Sequence, residues 1–142
     1  IGVAQLKKLP SFVERRRHNF ARLRAALADM EEFFVLPEAT EHAAPSWFGF
    51  LLTCREGVRR AEIVRFIEEH GIQTRMLFAG NLTKHPCFDA MRASGEGYRI
   101  AGALTQTDRI MNDTFWLGVY PGLTDAKIDY MAQMVKEAVR VQ

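Results

Sequence analysis

Gly71 divides two kinds of hydrophobic periodicity, and this change constrains the fold more than any other feature of the chain. On its N-terminal side Ile63, Val64, Phe66 and Ile67 recur at helical spacing between Arg60 and His70. A glycine placed just after such a stripe sits where helices close in a left-handed cap. On its C-terminal side Ile72 to Phe78 reads as a buried strand that passes into a loop carrying Gly80, Asn81, Lys84, His85 and Pro86. Polar groups are then delivered from a rigid edge, which is how a ligand-facing loop is built. Upstream, Ser46 to Cys54 is apolar almost throughout, with Trp47, Phe48, Phe50, Leu51 and Leu52, and predicts a strand covered on both faces. Strand, helix, strand therefore spans Trp47 to Phe78.

The flanks extend this pattern. Leu6, Leu9, Phe12, Val13, Phe20, Leu23 and Leu27 keep a helical spacing interrupted by Pro10, which predicts a short helix to about Leu9 and a second from Pro10 or Ser11 to about Met30. Phe33 to Leu36 is a short strand or extended entry, and Pro37 to Pro45 a loop. Phe88 to Met91 suits one helical turn, Ser94-Gly95-Glu96-Gly97 a flexible link, and Thr105 to Met111 a short helix capped by Thr105 or Thr107. Thr114 to Tyr120 is a further strand ended by Pro121-Gly122. Thr124 caps a last helix whose Ile128, Met131, Val135 and Val139 form one apolar stripe. A few strands with helices laid on one face make an α+β sandwich. No G-x-G-x-x-G or G-x-x-x-x-G-K-[ST] accompanies the strands, so a phosphate-cradling nucleotide fold is not supported.

At 142 residues, 48% apolar and 25% charged, the chain is one soluble globular domain. A formal charge of +2 argues against nucleic acid or a membrane surface as partner. The local cluster Arg15-Arg16-Arg17 with Arg22 and Arg24 reads as a solvated or ion-paired helix face. Cys54 and Cys87 lack C-x-x-C spacing and the four histidines are scattered, so no metal site follows, and the pair suits a reducing, cytoplasmic compartment. No apolar run approaches the ~20 residues of a membrane span. Ile1 is neither an initiator methionine nor a natural domain start, and nothing ahead of the loop supplies a cofactor cradle. The chain reads as part of a larger enzyme.

Each candidate functional residue has a plain structural alternative. Arg75, at the end of a buried strand, calls for a phosphate or carboxylate, whether from a ligand or from Glu68, Glu69 or another nearby acid. Asn81 after Gly80 suits either a sugar hydroxyl or ordinary turn chemistry. His85 before Pro86 is placed for acid–base work but has no partner identifiable by spacing. Trp47 and Phe48 suit stacking on a ring or burial in the core. Asn112 reaches a ligand from the helix-to-strand corner or serves the turn. Glu31-Glu32 and Glu68-Glu69 make no acid–base dyad.

Together, Gly2-Val3-Ala4-Gln5-Leu6, Phe12-Val13-Glu14-Arg15-Arg16-Arg17, Pro45-Ser46-Trp47-Phe48-Gly49-Phe50, Thr74-Arg75-Met76-Leu77-Phe78-Ala79-Gly80-Asn81-Leu82 and Asp108-Arg109-Ile110-Met111-Asn112 resemble the C-terminal part of the DegT-type sugar aminotransferases. Within that family the likeness runs closest to the CDP-4-dehydro-6-deoxyglucose 3-dehydratases of lipopolysaccharide dideoxysugar synthesis. The resemblance implies the small C-terminal domain of a fold-type I enzyme that uses pyridoxal or pyridoxamine phosphate, a short sheet covered by helices. Residues 1–30 would be the helix leading from an absent large domain and residues 31–142 the small domain.

The resemblance further implies that a histidine outside this chain replaces the Schiff-base lysine, that the sugar loses its C3 hydroxyl, and that the intact protein is a homodimer acting on a nucleotide-sugar. Some members also carry an iron-sulfur cluster served by a reductase. Neither Cys54 nor Cys87 matches a cluster position, Lys84 is not a Schiff-base lysine, and His85 is not the catalytic histidine. No catalytic residue is assigned here, and the isolated chain is expected to bind no cofactor and to be inactive. The residues carried over as the substrate wall are Trp47, Phe48, Arg75, Phe78, Gly80, Asn81, Arg109 and Asn112. Two other readings stay open, an aminotransferase of the same family and a free-standing binding or assembly module.

Overall fold

A computed structural model describes all of residues 1–142. The chain runs through α1 (Gly2–Leu6), α2 (Leu9–Ala26), β1 (Phe34–Val35), β2 (Gly49–Cys54), α3 (Arg60–Glu69), β3 (Thr74–Met76), α4 (Asp89–Ser94), α5 (Thr105–Asp113), β4 (Thr114–Gly118) and α6 (Asp125–Arg140). Pro10 lies in the first turn of α2, where its missing N–H costs nothing. At the end of α3, Gly71 takes φ +77°. Its N–H bonds to Glu68 O at 3.0 Å while that of Ile72 bonds to Ile67 O at 3.2 Å, the paired closure of a Schellman cap. Thr124 Oγ1 accepts from Lys127 N at 3.4 Å and starts α6 as expected. Thr105 and Thr107 do not cap α5, because Leu104 occupies that position with φ +51°.

The four strands form one antiparallel sheet in the order β1-β2-β4-β3. β4 thus lies between β2 and β3, and the strand–helix–strand unit is split. Phe50, Leu52 and Cys54 share a face with Phe115 and Leu117, and this face meets α2, α3 and α6. Phe34, Phe50 and Phe115 are fully buried at its centre, and each contributes about 1.5–3 kcal/mol by removal from water. Leu23, Leu27 and Met30 at the end of the N-terminal helical segment belong to the same core.

Two burial expectations are corrected. β2 is not covered on both faces, since Leu51 and Thr53 on the side away from the helices are only half-buried. The expected buried strand Ile72–Phe78 shortens to Thr74–Met76, of which only Thr74 is buried. As an edge strand with helices on one side it leaves Arg75 in solvent, and the chain turns at Phe78, whose N–H bonds back to Met76 O at 2.8 Å.

Arg15, Arg22 and Arg24 of the arginine cluster are ion-paired, whereas Arg17 donates to the carbonyls of Ala44 and Pro45. Arg15 Nη2 donates to Asp125 Oδ1 at 2.7 Å, His18 Nε2 lies 3.0 Å from the same oxygen, and Arg22 Nη2 donates to Asp129 Oδ2 at 2.7 Å. Hydrogen bonds from His18 and then Arg15 hold Asp125 below the usual carboxylate value of 3.8, and Arg22 does the same for Asp129. A depressed folded pKa stabilises the fold above the unfolded value and ceases to do so as pH falls through the folded one. The melting temperature should therefore start to fall as the pH drops below about 4, and Asp125→Asn should lose less on acidification than the parent, measured by thermal melts across pH 2–7.

Candidate functional site

The sheet face opposite the helices carries the candidate site. There Leu51 pairs with Trp116, Trp116 with Arg75, and Thr53 with Thr114, whose hydroxyls lie 2.9 Å apart. Trp116 is the centre of this face. Its Nε1–H donates to Met76 O at 3.2 Å, and Phe48 meets it edge-on with ring centroids 5.3 Å apart. Gly49 is needed beneath it, since a Cβ there would stand 2.6 Å from the indole. Trp116 was not among the expected wall residues. The available signal was its position in a strand where Phe115 and Leu117 alternate with it.

Two hollows adjoin Trp116 on this face. One, of about 220 Å³, is lined by Trp47, Phe48, Leu51, Leu77, Phe78 and Trp116 and contains no charged group. The other is shallow and lies between Arg75, Met76, Phe78 and Trp116. Phe78 is 76% exposed at φ +50°, a backbone state that costs a non-glycine residue about 1–2 kcal/mol. No packing within the domain explains that cost. Trp47 is half-buried because it packs against Phe20, the rings tilted by 42° with centroids 4.5 Å apart. Arg75 forms no ion pair, and neither Glu68 nor Glu69 meets it: Glu68 accepts from Thr74 Oγ1 at 2.5 Å and Glu69 lies 4.0 Å from Arg65.

The loop after β3 is arranged differently from the open face. Asn81 is 2% exposed, and its amide is consumed internally. Nδ2 donates to Asp108 Oδ1 at 2.7 Å, while Oδ1 accepts from Thr83 N at 3.0 Å and Thr83 Oγ1 at 2.7 Å. Lys84 Nζ completes the cluster 2.9 Å from Asp108, and the hydrogen bonds from Asn81 and Lys84 hold Asp108 below the usual carboxylate value. Asn81 thus ties the loop to α5 and offers no free amide. Gly80 has φ +65° and lies against Met111, where a Cβ would come within 2.4 Å. Arg109 and Asn112 are exposed on α5 and line neither hollow. His85 Nε2 bonds to Ala79 O at 2.5 Å.

No group of three or more His, Cys, Asp or Glu side chains converges on a metal site. Burial pushes the Cys54 thiol up to about 11, which makes it a packing residue. No helix is long and apolar enough to cross a membrane.

The α+β arrangement of helices on a small antiparallel sheet superposes on parts of pyridoxal-phosphate-dependent aminotransferase-fold proteins. The chain belongs to the DegT/DnrJ/EryC1/StrS aminotransferase family, which it matches over residues 1–136. It is 50% identical over 96% of its length to the lipopolysaccharide biosynthesis protein RfbH of Salmonella typhimurium, of which it covers 30%. It is 45% identical over 98% of its length to a dTDP-4-dehydro-2,6-dideoxy-D-glucose 3-dehydratase of Saccharopolyspora spinosa, of which it covers 29%. It superposes, at 25% identity over 94% of its length and 33% of theirs, on two solved forms of a GDP-4-keto-6-deoxymannose-3-dehydratase. One form holds a trapped PLP-glutamate geminal diamine (TM-score 0.80) and the other GDP-perosamine (TM-score 0.81). The chain spans about a third of the length of these relatives.

On the open face, the hollow lined by Trp47, Phe48 and Phe78 offers no charged partner to the phosphate of the family's cofactor. The apolar hollow has no charged lining, Lys84 is held by Asp108, and Lys136 by Asp29 at 2.8 Å. Because Asn81 staples the loop and Gly80 abuts Met111, Asn81→Ala and Gly80→Ala should each cost on the order of 1–3 kcal/mol in denaturant melts. Arg75→Ala should leave stability nearly unchanged in the same measurement.

Proposed function

We propose that this chain is the small C-terminal part of a nucleotide-sugar 3-dehydratase that uses pyridoxamine phosphate and acts on a CDP-4-dehydro-6-deoxyhexose in lipopolysaccharide deoxysugar synthesis. The observation that carries the proposal is Arg75, an unpaired guanidinium beside Trp116 on the one sheet face that the chain's own helices leave open. The similarity to named 3-dehydratases supports the reaction class, and the lipopolysaccharide name of the Salmonella relative supports the pathway.

In this reading the cofactor and the proton-transferring residue lie outside these residues, and the isolated chain is inactive. The cofactor supplies an amine that activates the sugar ketone for loss of the neighbouring hydroxyl. This chain's work is to bind and orient: Arg75 faces the anionic portion of the substrate, and Trp47, Phe48 and Phe78 present apolar rings that exclude water from the sugar. Gly80 gives the loop its turn and Asn81 its anchor, while Arg109 and Asn112, outside both hollows, would meet the substrate only from the exposed side of α5. The intact protein would be a soluble cytoplasmic homodimer. An iron-sulfur cluster with its reductase would belong to the portion outside this chain.

In the intact protein, Arg75→Ala should lower kcat/KM for the nucleotide-sugar by about tenfold or more, with a melting temperature close to the parent's. The reverse ranking would make Arg75 structural. A second check is the residue at the cofactor's Schiff-base position, expected to be histidine. Lysine there would favour an aminotransferase.

A further inference from the structure

Arg60 stands in the first turn of α3, yet both hydrogen bonds of its guanidinium leave that helix. Its Nη1 donates to Met111 O at 2.6 Å and to Thr114 O at 3.2 Å, so one nitrogen joins the last turn of α5 to the first residue of β4. We propose that Arg60 is a positioning residue for the substrate wall, a clamp that sets the turn from Phe78 to Asn81 in its place relative to Trp116. The proposal rests on the nucleotide-sugar reading above, in which that wall meets the ligand.

The way α5 is held is the first argument. None of its nine residues is fully buried, so apolar packing fixes it weakly and its placement falls to directional bonds. Asn81 and Lys84 hold it through Asp108, and Arg60 holds its last turn. Carbonyls in a last helical turn lack partners within the helix, and a guanidinium that reaches them meets both that need and the helix dipole. For α3 the same residue is unfavourable, since a cation in a first turn opposes the dipole there. What Arg60 does for the fold, it does at the corner between α5 and β4.

Met111 is the second argument. The residue whose carbonyl Arg60 holds also carries the side chain against which Gly80 lies, and its Sδ accepts from Asn81 N at 3.3 Å. Arg60 thus reaches the loop through one intervening residue. Thr114, whose carbonyl it also holds, is buried, meets the Thr53 hydroxyl at 2.9 Å and stands two residues before Trp116 on the same strand. One side chain therefore bears on both halves of the wall, the turn through Met111 and the indole through the start of β4. Gly80 leaves no room for Met111 to shift, since even a Cβ there would stand 2.4 Å from its Cγ, so a displacement of α5 is passed directly to the turn.

The test is amide hydrogen exchange read by mass spectrometry, with steady-state kinetics, on the intact protein and its Arg60→Met variant. Exchange at residues 77–85 and 105–113 should be about tenfold or more faster in the variant, while residues 49–54 and 125–140 stay as protected as in the parent. KM for the nucleotide-sugar should rise about threefold or more. Should Arg60→Met fail to fold, Arg60→Lys, a donor of shorter reach, carries the same comparison. Unchanged exchange at residues 77–85, or exchange accelerated equally across the sheet and α6, overturns the proposal. Local acceleration with KM unchanged overturns it as well, since the wall then does without the clamp, and leaves the dehydratase reading standing. Local acceleration in a protein that dehydrates no sugar keeps the clamp and removes that reading.

Discussion

The structure depends on β4, the last strand in the chain, entering the middle of the sheet. Phe115 and Leu117 place the largest share of the strand core against Phe50 and Leu52, and β3 pairs with no other strand. Until β4 arrives, Thr74–Met76 has no ladder and the helices have no continuous floor. The connection from β3 to β4 runs through residues 77–113, so the central pairing is long-range and its loop-closure entropy must be met before the core rewards it. The same insertion sets Arg75 beside Trp116. The core and the candidate site are two faces of one strand.

One-sided coverage follows from how the helices pack. α6 contacts both α2 and α3, and its buried Ile128, Met131, Val135 and Val139 close the core from one side. Nothing comparable lies on the other side. Trp116, Phe48 and Phe78 therefore remain partly or largely in solvent, and the side chains there are held by one another: an indole over a glycine, a ring edge, one bond to a backbone carbonyl. Such a face is rigid without being buried, which suits a surface that meets a ligand or the rest of an enzyme.

The loop beyond β3 is positioned by polar chemistry. Asn81, Asp108, Lys84 and Thr83 form one connected cluster in which each side chain has a partner. It attaches the loop to α5, which runs directly into β4. Through that attachment the turn at Phe78, with its unfavourable backbone, stays fixed relative to Trp116. A residue read from sequence as a ligand contact thus serves the site from behind. The sequence offered both uses for Asn81, and only the distance to Asp108, a residue 27 positions later, selected one.

Local physics made much of the fold legible in the sequence. Gly71 marks the end of α3 because only a glycine enters the left-handed cap cheaply, Pro10 marks the first turn of α2, and Thr124 the start of α6. The stripes of α3 and α6 follow from helical period, and Arg15, Arg22 and Arg24 of α2 read correctly as an ion-paired face. The strand order was not legible, since hydrophobic runs specify burial but not which strand lies beside which. Nor was the exposure of Arg75, because a short β-branched and apolar run looks the same in a sheet's middle and at its edge. Trp116 gained its importance only when long-range pairing set it beside Arg75. Residue type and period determined where elements begin and end, and the tertiary structure alone decided which groups they bring together.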